Sequence, residues 1–364
     1  MNSSKTLILN NLLKKALEKR ASVLLFIVGI QPIMKIEGEC LLVKEEDITS
    51  QEFSRDMIQG ILNIEEQEIL ERERNITIIK EIVKDYRFRV NVYYQKGVPT
   101  ISFQTINNEY PPLEKLRINK QFKDLVNRNS GIIIISGPYA SGKTTTLLSF
   151  VSEINNTKNK HIIILEELTE NILSSNNSIV EQIEIGKDSK SLQDSLNALN
   201  YRTYDVLVVS KNIRDKNELK EILNISSSGK LVLIMCHTAS VEGTLDQFLS
   251  FFSNENEKKY MQAVLSRELL GIVNQRLIKK IGGGRTLATE ILINNKTSKA
   301  TIEEGNIAQI KNVIKIGEVE GMHTLDQNLQ ELVKNNEILP EIAIDLAHNA
   351  NKFSNIEDEN IIKW

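Results

Sequence analysis

The residues best suited to chemistry lie in one short stretch, which reads GPYASGKT from Gly137 to Thr144. The stretch fits the pattern G-x-x-x-x-G-K-[ST], with an apolar run typical of a buried strand before it and an amphipathic run typical of a helix after it. Such a loop folds around phosphate groups, because its glycines allow the required backbone angles and its main-chain amides point inward. The alternative is a chance match on a glycine-rich turn.

Each residue type in this loop has a predicted role. Gly137 and Gly142 permit the turn, Lys143 is expected to reach the β- and γ-phosphates of ATP, and the Thr144 hydroxyl is expected to ligate Mg²⁺. The inward-pointing amides are expected to come from Ala140, Ser141, Gly142, Lys143, Thr144 and Thr145.

The chain around the loop predicts an α/β core in which strands alternate with helices. Apolar runs typical of strands occur at residues 132–136, 162–165, 206–209 and 231–235. Helical spacing separates them, as at residues 216–225, which predicts a largely parallel sheet with both faces covered. Residues 261–281 predict one long helix, residues 286–293 a strand, and the chain after Ser298 mostly helices.

The chain before this core predicts a smaller α/β domain. Helical spacing covers residues 7–20 and 49–73, and residues 23–34 contain a buried strand. This strand returns through a hairpin with its tip at Glu37 and Gly38, and residues 86–106 alternate as a second β-hairpin. A pair of prolines then predicts a linker in residues 107–116.

The bulk composition excludes several classes of protein. A length of 364 residues allows two domains, and a net charge of -3 argues against nucleic acid as an obligate partner. Two cysteines, Cys40 and Cys236, cannot build a four-thiolate zinc site or a disulfide framework, so we expect no zinc and a reducing cytosol. No apolar run is long enough to predict a transmembrane segment.

Three further strings resemble the type IV pilus retraction ATPases, the PilT/PilU type within the secretion-ATPase superfamily. The string FRVNVYYQKG resembles the FRVN strand of that family, and NQRLIKKIGGGRTLATEI resembles its most specific signature. The string GMHTLDQNLQELV resembles a C-terminal helical segment of the family. A P-loop kinase unconnected to pili would not carry these strings.

The resemblance implies an α/β fold with a PAS-like N-terminal domain and a RecA-like P-loop ATPase core that ends in C-terminal helices. It also implies a hexameric ring of identical or paralogous subunits, which is cytoplasmic and peripheral to the inner membrane and acts with a pilus platform protein there. The predicted boundaries are 1–108 for the PAS-like domain, 109–116 for the linker, 117–298 for the core and 299–364 for the C-terminal helical segment.

Three more candidate site residues and one charge partner follow from the resemblance. The family's acidic box, IEDPIE in form, matches LEELTE, which implies that Glu166 and Glu167 orient water and that Glu166 helps to hold Mg²⁺. The family's histidine box matches HTASV, which implies that His237 senses the γ-phosphate. Arg89 in FRVN is implied as an inter-subunit partner for phosphate. Each role has a plain structural alternative. Glu167 could be a solvated acid, His237 an ordinary hydrogen-bonding histidine, and Arg89 a solvated arginine on a strand.

One string departs from the family. Where the family has DPDIILVGEMRD, this chain has YDVLVVSKNIRD, from Tyr204 to Asp215. Aligned from its start, Lys211 replaces the family's glutamate, and aligned from its end, Asn212 replaces it. Asparagine cannot accept a proton, and lysine opposes metal binding, so both alignments predict slower hydrolysis.

Two functions remain open at this point. The first is a motor subunit for pilus retraction and twitching motility with weakened catalysis. The second is a nucleotide-binding subunit without catalysis, which joins or regulates a pilus ATPase ring. Loss of the acid near Ser210 favours the second, and the intact Lys143, Thr144, Glu166 and His237 favour the first.

Overall fold

The computed structural model describes residues 3–36, 38–106, 110–350 and 353. The chain divides into two compact units, of which the first is Met1–Asn108 with Leu168–Ile172 and the second is Glu109–Glu167 with Leu173–Trp364. Some of the predictions concern residues that lie outside the described ones. These residues are Glu37 at the predicted hairpin tip, residues 107–109 at the start of the predicted linker, and residues 351–352 and 354–364 of the predicted C-terminal segment. The four predicted domain boundaries stay predictions.

The first unit packs helices against one antiparallel sheet. Its described helices are α1 Ser3–Glu18, α2 Gln51–Ile61 and α3 Ile64–Glu73, and its described strands are β1 Val23–Phe26, β2 Ile33–Ile36, β3 Glu39–Leu42, β4 Asn75–Val83, β5 Tyr86–Gln95 and β6 Val98–Thr105. The strand order is β3-β2-β1-β6-β5-β4. Helix α1 buries Leu9, Leu12, Leu13 and Ala16, whose spacing places them on one helical face.

The Ser/Thr cap predicted for residues 49–73 is present, whereas the cap of α3 and one strand of this unit were not predicted. Ser50 caps α2 through a hydrogen bond from the Phe53 amide, and Asn63 and Glu66 form a reciprocal capping box on α3. Strand β4 was not predicted, because Lys80 and Glu81 interrupt its apolar alternation. Strand β3 lies at the sheet edge with all four residues exposed, including Cys40.

The second unit has the helix and strand alternation that the sequence predicts. Its described helices are α4 Lys120–Lys123, α5 Lys143–Thr157, α6 Leu192–Leu199, α7 Lys216–Ser227, α8 Val241–Ser250, α9 Glu255–Glu268, α10 Lys296–Glu303, α11 Ile310–Ile316, α12 Leu325–Lys334 and α13 Pro340–Leu346. Its described strands are β7 Gly131–Ser136, β8 His161–Glu166, β9 Ile179–Glu184, β10 Val206–Val209, β11 Leu231–Cys236, β12 Leu269–Lys279 and β13 Arg285–Ile293. Short 3₁₀ turns occupy Leu113–Lys115, Asp124–Asn127, Ile307–Gln309 and Gly317–Glu320.

The strand order of the second sheet is β13-β12-β7-β11-β10-β8-β9, and only β13 is antiparallel to its neighbour. Both faces of this sheet are covered. In β7, Ile132 and Ile134 pack into one apolar cluster, while Ile133 and Ile135 pack into another. Such burial on both faces produces a continuous apolar run rather than an alternation, as the sequence shows. The predicted mixed α/β fold with a largely parallel sheet is confirmed.

One prediction for this unit is wrong. Residues 261–281 do not form one long helix, because α9 ends at Glu268 and β12 begins at Leu269. Strand β12 pairs with β7 on one side and β13 on the other, and its β-branched residues Ile272 and Val273 pack into opposite apolar clusters. A dense apolar run fits a helix and a buried strand equally well by periodicity alone, so tertiary pairing decides between them.

No described helix has both the length and the unbroken apolar character that crossing a bilayer requires.

Gly271 provides a test of the β12 register. A Cβ atom at this position would lie 2.8 Å from the Leu292 carbonyl oxygen and 2.9 Å from Phe122 and Leu125 side-chain atoms. Gly271→Ala is therefore expected to lower the free energy of unfolding by about 1–3 kcal/mol through overpacking, as measured by denaturant titration.

Gly243→Ala in α8 is the matched control. Its added Cβ would have one close neighbour, the Ser240 Oγ at 3.2 Å, and alanine favours the helix, so a much smaller change in unfolding free energy is expected. Equal losses for the two variants would contradict the register.

Candidate functional site

The phosphate-loop motif links the buried strand β7 to helix α5. Gly137 has φ +155, and a Cβ there would lie 2.4 Å from the Gln275 carbonyl oxygen and 2.5 Å from Ser141 Oγ, so no other residue fits without a shift. Gly142 has φ +85 and is the N-cap residue of α5, where no side chain caps the helix. The first amides of α5 therefore have neither an intrahelical acceptor nor a side-chain acceptor, which is the arrangement that suits an anion.

Lys143 lies buried inside this loop. Its Nζ donates to the Pro138 carbonyl oxygen at 2.6 Å and lies 3.4 Å from Ser141 Oγ. Burial lowers the pKa of Lys143 to about 8. Burial also raises the pKa of the neighbouring Cys236 thiol to about 12, so this thiol stays protonated and carries no charge at neutral pH.

The remaining loop residues differ in exposure. Ala140 and Thr145 are exposed, Ser141 is buried, and Thr144 is half-buried. Ala140 has φ +59, a left-handed conformation that is uncommon for alanine. The Thr144 hydroxyl lies 3.8 Å from the Met235 sulfur at the end of β11, which is a weak acceptor.

His237 follows β11 directly, as predicted, and Tyr139 of the phosphate loop stacks on it. The ring centroids lie 6.4 Å apart with an interplanar angle of 24°. The pKa of His237 is lowered by burial and by the Lys143 charge, against the opposing effect of Glu167. The imidazole is therefore neutral at pH 7 and has both a donor and an acceptor nitrogen. Tyr139 itself is 77% exposed.

The two adjacent acids of LEEL have different surroundings. Glu166, the last residue of β8, is buried, and its Oε1 accepts a hydrogen bond from Gln182 Nε2 at 2.8 Å. The side chain of Glu167 is 62% exposed, with its Oε1 at 3.6 Å from Arg214 and 3.9 Å from Lys211. Because Glu167 is exposed and both distances are long, these pairs contribute little to stability, but they do place two cations beside Glu167.

The end of β10 is the place where the string YDVLVVSKNIRD departs from the family pattern. The Ser210 amide donates to the Leu165 carbonyl oxygen at 2.8 Å, which sets this turn beside the end of β8. The Lys211 side chain is only 13% exposed. The Asn212 Oδ1 is buried without a hydrogen-bond partner among the described residues.

Arg89 lies on β5 and forms an ion pair with Glu170, a residue of the Leu168–Ile172 segment that belongs to the same unit. Arg87 donates to the Glu170 carbonyl oxygen at 2.7 Å. The structure thus gives Arg89 a carboxylate partner, and its role toward phosphate stays a prediction.

Sequence reasoning missed two polar residues of β12, Asn274 and Gln275. Asn274 donates to Ser136 Oγ at 2.9 Å and to the Thr238 carbonyl oxygen at 3.1 Å, which links β7 to the segment after His237. Gln275 donates to the Ser141 carbonyl oxygen at 2.8 Å. The available signal was an adjacent polar pair inside an otherwise apolar run.

A magnesium ion would fit at the Thr144 hydroxyl. The contact of this hydroxyl with the Met235 sulfur is weak, so its oxygen can bind a hard cation instead. Glu166 lies on β8, two strands or about 10 Å from β11, where Met235 contacts Thr144. Magnesium usually keeps several waters, so this acid fits best as a ligand through water. Across the described residues, no group of three or more His, Cys, Asp or Glu side chains could hold a metal ion.

The stacked ring of Tyr139 is expected to contribute to the lowered pKa of His237. Tyr139→Ser removes part of the cover, so the imidazolium becomes better solvated and the pKa of His237 should rise toward its ordinary value. The measurement is an NMR titration of histidine-labelled protein, in which His237→Gln identifies the signal among four histidines.

Tyr201→Ser is the matched control. Tyr201 lies elsewhere in the same unit and is 94% exposed, so this variant should leave the His237 titration unchanged. An unchanged titration in Tyr139→Ser would show that the ring does not desolvate His237.

Known proteins resemble this chain over most of its length. The family model for "Type II/IV secretion system protein" matches residues 3–358. The type IV pilus retraction ATPase PilT of Pseudomonas aeruginosa is 30% identical over 325 residues, which cover 89% of this chain and 94% of that protein. The "Twitching motility protein" of Neisseria gonorrhoeae is 29% identical over 324 residues, with 89% and 86% covered.

A solved structure agrees with these matches. The crystal structure of the pilus retraction motor PilT with bound ADP superposes with a TM-score of 0.84 at 30% identity, and covers 94% of this chain and 98% of that chain. The resemblance inferred from the three strings is confirmed, and the chain belongs to the type II/IV secretion system protein family, in its type IV pilus retraction ATPase branch.

Proposed function

We propose that this chain is an ATP-binding motor subunit of type IV pilus retraction with weakened catalysis. The observation that carries the proposal is the buried Lys143 ammonium inside a glycine-bounded loop, in a chain whose full-length relative is a pilus retraction ATPase. A lysine held by carbonyl and hydroxyl oxygens gains a stronger, charged partner when phosphate enters the loop. The bound ADP of the related PilT structure supports nucleotide binding by this chain.

The proposed roles follow the chemistry of phosphoryl transfer. Main-chain amides of residues 140–145 and Lys143 bind the phosphates, while Thr144 holds Mg²⁺, which neutralises phosphate charge when bound. Glu166 orients water and reaches the metal through water, and His237 offers a neutral imidazole to the γ-phosphate. Glu167 is proposed as a second acid in hydrolysis, although Lys211 and Arg214 offset its charge.

Weakened catalysis is proposed from the end of β10. A lysine and an asparagine at positions 211 and 212 replace the glutamate that family members place there. Phosphoryl transfer depends on positioning and electrostatics, so the loss of one oriented acid lowers the rate without abolishing binding.

A second candidate function is a catalytically inactive subunit of a pilus ATPase ring. The two cations beside Glu167 favour it, because they offset the negative charge with which that acid could act on water.

In both candidates we propose a hexameric ring of identical or paralogous subunits, peripheral to the cytoplasmic face of the inner membrane, with a pilus platform protein as partner. Residues 1–108 are proposed as the PAS-like domain and residues 117–298 as the RecA-like core. Residues 109–116 are proposed as the linker between them, and residues 299–364 as the C-terminal helical segment. Arg89 is proposed to act on a neighbouring subunit's phosphate only after it leaves Glu170.

The affinity for ADP should depend on pH through Lys143. The ammonium has a pKa of about 8 in the free protein, and phosphate binds only its charged form. The dissociation constant should therefore be nearly flat below pH 8 and rise by up to about tenfold per pH unit above it, as measured by calorimetry between about pH 7.5 and 9.5.

Lys143→Met should bind weakly and show no break near this pH. The same break in Lys143→Met would assign the titration to another group. Cys236 is excluded, because its pKa of about 12 keeps it neutral throughout.

Phosphate release from Mg·ATP separates the two candidate functions. The motor proposal expects slow turnover that Lys143→Ala abolishes, while equal rates in the two proteins would reject the motor and favour the inactive subunit. Restoring an acid by Lys211→Glu or Asn212→Glu should raise turnover by about tenfold or more in the variant with the correct position.

Lys84→Glu, at an exposed residue of the first unit, changes the net charge as Lys211→Glu does, so it is the control and should leave turnover unchanged. A similar increase in all three glutamate variants would mean that net charge, rather than a positioned acid, controls the rate.

A further inference from the structure

Gln275 lies deep in the second unit and contacts the phosphate loop from β12. Strand β12 pairs with β7 so that Asn274 lies opposite Ser136, and Gln275 therefore lies level with the start of the loop. Its side chain is fully buried, and its Nε2 donates to the Ser141 carbonyl oxygen at 2.8 Å. The loop and this residue are 134 positions apart in the chain.

The two glycines of the loop also pack against Gln275. A Cβ at Gly137 would lie 2.4 Å from the Gln275 carbonyl oxygen, and a Cβ at Gly142 would lie 3.4 Å from its Nε2. A side chain at either glycine position would therefore meet Gln275, and the hydrogen bond to Ser141 lies between these two positions.

The hydrogen bond fixes the direction of one peptide plane. A trans peptide group is planar and holds its carbonyl oxygen and its amide hydrogen on opposite sides. Because the Ser141 carbonyl oxygen points at Gln275, the amide of Gly142 in the same peptide group points away from β12. Gly142 precedes α5 with no side-chain cap, so its amide belongs to the set that an anion can bind.

The other half of the side-chain amide supports a role beyond packing. Gln275 Oε1 is buried without a hydrogen-bond partner among the described residues. An unpaired buried acceptor destabilises the fold, and an apolar side chain of the same shape would avoid this cost. A residue that is unfavourable for stability but donates to the phosphate loop is best explained by that donation.

We infer that Gln275 is a positioning residue, whose amide holds the Ser141–Gly142 peptide so that the Gly142 N–H faces the nucleotide phosphates. The inference rests on the proposed nucleotide site, since it assigns a function to one bond of that site. Gln275 does not itself touch the nucleotide.

The test is ADP affinity in Gln275→Met, which keeps the length of the side chain and removes the donor. ADP should bind about fivefold more weakly, because one oriented hydrogen bond to the loop is lost. Gln275→Leu, which also removes the donor, should weaken ADP binding by a similar factor. Hydrogen exchange of the 137–145 segment should show less ADP-induced protection in both variants.

The matched control is Thr289→Val. Thr289 is equally buried and lies opposite Gln275 on β13. Its hydroxyl forms a hydrogen bond with His323 Nε2 at 2.8 Å, and this bond does not involve the phosphate loop. This variant should lose thermal stability while its ADP affinity and loop protection stay the same as in the wild type.

The outcomes separate the inference from the proposed function. Wild-type ADP affinity in Gln275→Met overturns the inference, as does an equal loss of affinity in Thr289→Val. If neither Gln275 variant folds, the residue serves the fold rather than the loop, and the inference also fails. A wild-type protein that does not bind ADP overturns the proposed function instead.

Discussion

Parallel strands bring their carboxyl ends to one edge of a sheet, and the whole candidate site depends on this constraint. Strands β7, β11, β10 and β8 are adjacent and parallel, so their carboxyl ends share one edge. The phosphate loop, His237 and Lys211 follow three of these strands, and Glu166 is the last residue of the fourth. Ligands of open α/β sheets bind at such an edge. The apolar clusters on both faces of the sheet keep these strands in register, and residues far apart in sequence thereby become neighbours.

The charged side chains at this edge differ in burial and in their partners. Lys143 and Lys211 both have mostly buried side chains, while one of the two acids, Glu167, lies beside two cations. Positive charge strengthens the attraction for a polyphosphate, but an acid is needed to polarise water. These charges, together with the substitutions at the end of β10, are the basis on which weakened catalysis is proposed.

Features that depend on neighbours in sequence could be predicted, whereas features that depend on distant pairing could not. The loop from Gly137 to Thr144 and the strand before His237 followed from local pattern and lie where expected. Strand β12 was mistaken for a helix, and β9 was not predicted, because its two glutamates and one glutamine interrupt the apolar pattern. The ion pair between Arg89 and Glu170 joins residues 81 positions apart, and the bond from Gln275 to Ser141 spans 134, so no local pattern contains either.

The contrast between the two thiols has a practical consequence for biophysical work on this chain. Cys236 lies in the core next to Lys143, with a pKa of about 12, and is thus shielded from alkylating reagents. Cys40 is exposed on the edge strand β3 of the first unit. A maleimide dye added to the unmodified chain should therefore attach at a single place, remote in sequence from the phosphate loop, and provide a fluorescent marker on the first unit without any engineered cysteine.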